Sequence, residues 1–174
     1  PSAAEVIALH DRLLAMPTWP GTEPAPADEG LWRWVQTNHR FNCRLWAEED
    51  LARRTTVGDA EIAANKRAID GFNQARNDAT ERVDEILLTA LGLVDAASAR
   101  TDAPVSTVPA GARLNSETAG SIIDRMLIMA LKVHAMRAQT ERVDVDQAHT
   151  ESSRARLARL RPQLEESRAF QQKG

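Results

Sequence analysis

Apolar residues recur along this chain at the 3.6-residue spacing of helices, and no stretch shows convincing strand alternation. Five helices are predicted. The first spans residues 3–16, with Val6, Ile7, Leu9, Leu13 and Leu14 on its inner side. A proline-rich connector, residues 17–26, cannot continue it, and Trp19 is expected to pack back on the body. A second helix covers 27–54. Gly58 and Asp59 separate it from a very long third helix, 59–96, striped by Ile62, Ile69, Phe72, Val83, Leu87, Leu91 and Val94. Residues 97–113, with Pro104, Pro109 and Gly111, form a loop long enough to be functional or mobile. The fourth helix starts near Asn115–Thr118 and runs to about 142. Apolar residues cover most of its circumference, so it is expected to be central. The fifth, 144–171, is mostly charged and holds Pro162, which should bend or weaken it. Together these elements predict an all-α, four- to five-helix up-and-down bundle. It is expected to form a single helical domain over 1–174: a helix and connector (1–26), a core bundle (27–142) and a polar C-terminal helix (143–174). Leu157, Leu160 and Leu164 give the last helix only a thin stripe, which a homodimer would cover.

Polar residues interrupt this pattern where leucines would be expected. On the wheel of the second helix, Leu31, Trp34, Val35, Leu45, Trp46 and Ala52 mark an apolar arc. Asn38, Asn42 and Glu49 fall inside it, and His39 and Arg53 lie at its edge. Burying such groups without partners costs about 1–3 kcal/mol each. On the third helix Asn65, Asn73, Arg76 and Thr80 fall inside the arc, flanked by Lys66, Asn77 and Asp84. Two helices joined by a short turn face each other. Counting outward from Gly58 sets Glu49 level with Lys66 and Arg67, Asn42 level with Asn73 to Asn77, and His39 a turn beyond. One reading is a polar interhelical pocket for a small anionic or sugar-like ligand, with Glu49 or His39 as acid/base. The ligand-binding set would be Asn38, Asn42, Arg53, Lys66, Asn73, Arg76 and Asn77. The other reading is a satisfied hydrogen-bond network that fixes helix register.

A second candidate is the start of the fourth helix, where free backbone N–H groups suit an anion. Gly120 allows close approach, Arg125 adds charge, and Glu117 joins the candidate set. Asp124 lies between Leu131 and Ile128 on the wheel and calls for a cationic partner among Arg53, Lys66 and Arg76. Trp32, Trp34 and Trp46 all sit on the second helix, where core filling is favoured over a sugar-stacking platform.

Composition narrows the classes. With 43% hydrophobic and 27% charged residues the chain is an ordinary globular one. A net charge of −3 gives no nucleic-acid footprint. The run Arg154, Arg156, Arg159 and Arg161, with Glu151, Glu165 and Glu166 around it, is a solvated helix face. A single cysteine, Cys43, excludes a disulfide framework. It lies off the apolar arc with no nucleophile pattern around it. The longest apolar run, Met126–Leu131, is too short to span a bilayer. No signal peptide is expected, since Glu5 and Asp11 interrupt the N-terminal segment. The start at Pro1-Ser2 fits removal of an initiator methionine, and a cytoplasmic location is expected. No metal or cofactor is expected: the Glu-x-x-His pairs of di-iron bundles are absent, Asp146-x-x-His149 being the nearest approximation. His10 and His134 are taken as core histidines. Phosphate-binding glycine loops, Gly-x-Ser-x-Gly elbows and Cys-x-x-Cys pairs are also missing.

Three blocks carry a resemblance. They are Asn38-His-x-x-Asn42-x-x-Leu-Trp46-x-x-Glu49-Asp-x-Ala-Arg53, then Ile62-x-x-x-Lys66-x-x-Ile-Asp70-x-x-Asn-Gln-x-Arg-Asn-Asp78, then Asn115-Ser-Glu-Thr-x-Gly-Ser-Ile-Ile-Asp-Arg125. In order and spacing, over roughly 38–142, the chain resembles a bacterial domain-of-unknown-function family of small helical proteins. Members are often encoded near glycosyltransferases of cell-surface glycan synthesis, so the resemblance implies an enzymatic or accessory role there, with a glycosyltransferase as a possible partner. Where that family commonly has proline before Gly120, this chain has Ala119, which would loosen the helix start. More loosely, Lys66-x-x-Ile-Asp70 on a long helix is similar to the all-helical chorismate mutases, although the usual arginine is Lys66 here.

Overall fold

The computed structural model describes residues 1–23, 30–113, 115–141 and 147–171, with side chains for all of these except 147–150 and 164–171. It is all-α. Among the described residues five helices follow one another: α1 (Ala3–Leu14), α2 (Leu31–Ala52), α3 (Asp59–Ala90), α4 (Ala119–Thr140) and α5 (Gln147–Gln171). The expected helix starts at 27 and 144, the Asp146-x-x-His149 pair and the side chain of Leu164 fall outside the described residues. Contacts divide the chain into two compact units, residues 18–121 and residues 1–17 with 122–174.

In the first of these units α2 and α3 form an antiparallel hairpin. Their cross-helix pairs run in opposite order: Glu48 with Asn65, Phe41 with Phe72, Asn38 with Thr80. The α3 helix, 32 residues long, extends about 48 Å at 1.5 Å per residue and overhangs the shorter α2. It ends at Ala90 rather than the expected 96. Gly92 takes φ +66°, the Leu93 N–H donates to the Leu88 carbonyl at 2.9 Å and the Gly92 N–H to that of Thr89 at 3.0 Å. This is a Schellman stop, which the apolar spacing of Leu91 and Val94 hid. The chain then doubles back. Val94 bridges Ser106, and Arg100 Nε lies 3.5 Å from Glu85 on α3, so the described part of the long loop has its own fastenings.

In the other unit, Ser2 caps α1 in a reciprocal capping box with Glu5, and α1 packs against α5. Val6, Ile7, Leu9 and Leu13 of α1 are buried, as are Ile122, Ile123, Met126, Leu127, Ala130, Leu131 and Val133 of α4. That fits the expected apolar character of α4. The α5 helix continues through Pro162. His10 is buried, whereas His134 is exposed, contrary to its reading as a core histidine.

Burial lowers His10 to a pKa of about 4, opposed by the Asp11 carboxylate and reinforced by His134. A depressed histidine stabilises the fold fully above the ordinary value near 6.5. Between 6.5 and 4 the unfolded chain takes up a proton that the folded chain refuses. Stability should therefore fall with a slope approaching 1.4 kcal/mol per pH unit in that window. Urea titrations of the wild type and His10→Gln across pH 4–7 check this, since the variant should lose that component of the slope.

Candidate functional site

The buried residues of α2 are Val35, Asn38, His39, Arg40, Asn42, Cys43 and Leu45, so polar groups outnumber aliphatic ones. Their hydrogen bonds form a relay. Asn42 Nδ2 donates to Asn38 Oδ1 at 2.9 Å, and Asn38 Nδ2 donates to Thr80 Oγ1 at 3.0 Å. Thr80 Oγ1 in turn donates to the Arg76 carbonyl at 3.0 Å. A polar seam does run between the two helices, and within it Asn42 bonds Asn38 of its own helix.

Nearer the turn the carboxylate that reaches α3 is Glu48, not Glu49. Asn65 Nδ2 donates to Glu48 Oε2 at 2.7 Å, and Asn65 Oδ1 accepts from Arg54 Nη2 at 3.1 Å. Arg54 also lies 3.8 Å from Glu61. Lys66 is exposed and Glu49 half-buried, so the expected Glu49–Lys66 layer is replaced by Glu48–Asn65–Arg54. A one-residue step on α2 rotates a side chain by about 100°, enough to exchange these neighbours. Arg53 is exposed and pairs with Asp50 at 3.2 Å. Asn73 is half-buried; Arg76, half-buried, donates to the exposed Asn77 at 3.2 Å. Lys66 and Asp70, which carried the looser mutase resemblance, are both exposed.

His39 is fully buried. Trp19 stacks on it with centroids 5.2 Å apart and planes 20° from parallel. The Trp19 indole N–H donates to Cys43 Sγ at 3.4 Å, and Cys43 Sγ lies 3.8 Å from the His39 ring nitrogens. Trp19 thus packs back as expected. Cys43, in contrast, is interior, because the connector covers the side of α2 that the wheel left open. Burial pushes its thiol up to about 11. That leaves roughly a hundredfold less thiolate than an ordinary cysteine near 9 would carry. Labelling by iodoacetamide at pH 7.5 should therefore be at least about a hundredfold slower in the folded protein than in urea, as mass spectrometry would read directly.

The N-terminus of α4 already holds an anion from within the chain. Thr118 Oγ1 accepts from the Ser121 N–H at 3.1 Å, the usual N-cap bond. The Gly120 N–H donates to Asp84 Oδ1 at 2.6 Å. A Cβ at Gly120 would lie 2.6 Å from the Thr80 carbonyl oxygen and 2.9 Å from Asp84 Cγ. Gly120 does permit close approach, but the approaching groups are α3 and its carboxylate. Thr80 therefore serves twice, its hydroxyl in the relay and its carbonyl against Gly120. Glu117 is half-buried, its N–H donating to Asn115 Oδ1 at 3.4 Å. Asp124 is half-buried and Arg125 exposed; both belong to the unit containing α1 and α5.

Arginines also lie against the aromatic rings of α2. The guanidinium groups of Arg33 and Arg82 each lie 5.5 Å from the Trp34 ring centroid, and Arg82 pairs with Glu85. Arg40 is buried although it points away from α3 on the wheel. Among the described residues, no group of three or more His, Cys, Asp or Glu side chains could hold a metal ion. No helix among them is long and apolar enough to cross a membrane.

A family model described as "Protein of unknown function (DUF4254)" matches residues 32–172. The chain belongs to this family. The match takes in nearly all of the α2–α3 hairpin and the α4 start, so the relay, the Glu48–Asn65–Arg54 group and Gly120 all lie within the family domain; Trp19 lies before it. No curated protein and no solved structure matches the chain.

Proposed function

We propose that the protein works through its surface, as a non-catalytic helical partner of a biosynthetic enzyme, in the cell-surface glycan setting that the three-block resemblance implies. The observation that carries this reading is the relay Asn42–Asn38–Thr80–Arg76, whose polar groups bond one another across the hairpin. Such a network supports a register role for the seam. The overhang of α3 supplies a surface for the partner. Leu88 and Leu91 are exposed there, Leu91 by 69%. The returning segment carries exposed Val105 and Val108, brought alongside by the Asp95–Val105 and Leu93–Thr107 backbone bonds.

Changing Leu91 and Val105 together to aspartate tests this. The paired variant should keep its stability to within about 1 kcal/mol, since both sites are exposed, and should lose co-elution with a glycosyltransferase of cell-surface glycan synthesis from the same cells. Retained co-elution refutes the surface assignment. The rival reading, with Glu49 or His39 as acid/base for an anionic or sugar-like ligand, makes a different prediction. Under it, Glu49→Gln and His39→Ala abolish the cellular phenotype without loss of co-elution.

A further inference from the structure

We propose that Arg40 is a binding site for an oxyanion, carboxylate or phosphate, and that Glu23 is its built-in competitor. The Arg40 side chain is 8% exposed, yet the carboxylate that faces it, Glu23, is 76% exposed. Glu23 Oε1 sits 3.0 Å from Arg40 Nη1, and Arg40 Nε donates to the Pro20 carbonyl at 3.0 Å. The guanidinium lies 5.7 Å from the Phe41 ring centroid.

Desolvating a guanidinium is costly unless the charge is well paired, and an exposed carboxylate is a weak, solvent-screened partner. The position is also unusual on the helix: Arg40 lies about 180° from the middle of the apolar arc, so nothing in the α2–α3 interface requires it. What holds it is the connector, through Pro20 and Glu23. A guanidinium offers five N–H donors in a planar fork that matches a carboxylate or phosphate edge in bidentate fashion. The Nε–H is committed to a backbone carbonyl and fixes the fork, while the Nη edge is met by a single carboxylate that reaches it from solvent. An incoming oxyanion takes the place of Glu23 on that edge and leaves the Pro20 bond intact. This inference does not depend on the partner reading.

The test titrates inorganic phosphate and malonate into the full chain by calorimetry. It compares Glu23→Gln with Glu61→Gln, which removes the same charge from a site beside Arg54. Glu23→Gln should bind at least one of the two anions about two- to fivefold tighter than Glu61→Gln does, the scale set by one exposed ion pair. Which anion gains distinguishes a phosphate from a carboxylate ligand. Adding Arg40→Lys to Glu23→Gln should abolish the gain, because the point charge lacks the fork. Equal affinities in the two glutamine variants, or a gain that survives Arg40→Lys, overturns the proposal.

Discussion

Gly120→Ala should lower the unfolding free energy by about 3–4 kcal/mol, among the larger effects expected of one added methyl group. Its Cβ would fall 2.6 Å from a backbone oxygen of α3 and 2.9 Å from the carboxylate that accepts the Gly120 N–H. Neither can yield cheaply: the Thr80 carbonyl belongs to a continuous helix, and moving Asp84 leaves an N–H at the α4 start without its acceptor. Gly71 supplies the control. It lies in the interior of α3, where an added Cβ would meet nothing within 4 Å, so Gly71→Ala should stabilise by about 0.5–1 kcal/mol. Chemical denaturation of the two variants should thus give opposite signs from the same chemical change. Equal small shifts would mean that α4 does not start against α3 as described.

Asn38→Leu should cost about 2–4 kcal/mol, because two partners each lose a hydrogen bond at about 1–3 kcal/mol apiece. Asn38 is 2% exposed and occupies the middle of the relay, accepting from Asn42 and donating to Thr80. Leucine differs little in length, so the loss comes chiefly from the groups left behind. The buried Asn42 amide loses its bond to Asn38, and the Thr80 hydroxyl, which keeps its own bond to the Arg76 carbonyl, loses a donor. A ligand-binding role for Asn38 predicts the reverse, a protein as stable or more stable with its binding gone. Thermal and urea unfolding separate the two outcomes.

Much of the architecture was legible because helical periodicity is a local property. The five helices and the apolar α4 follow from it, and the seam followed from polar residues at Asn38, Asn42 and Thr80 interrupting that period. The lost details are those that local pattern does not encode. The α3 stop depends on a left-handed Gly92 within an otherwise continuous apolar stripe. The exchange of Glu49 for Glu48 depends on a helix rotation of one residue, finer than counting from a turn can resolve. Cys43 and Arg40 point away from the arc and are interior because residues 18–23 fold over them, a long-range event with no periodic signature. The proline-rich connector and its tryptophan were the available signal. Free N–H groups drew attention to the α4 start, but sequence spacing gave no means of seeing that Asp84, 36 positions earlier, accepts from Gly120 there.

The measurement that tests the central claim most directly is a double-mutant cycle on Asn38→Ala and Thr80→Val, with unfolding free energies for all four proteins. If the seam is a structural network, the two changes should couple by about 1 kcal/mol or more, because each strands the other's partner. Additivity to within about 0.5 kcal/mol, with little cost from either single change, would contradict that account and return the seam to candidacy as a ligand site.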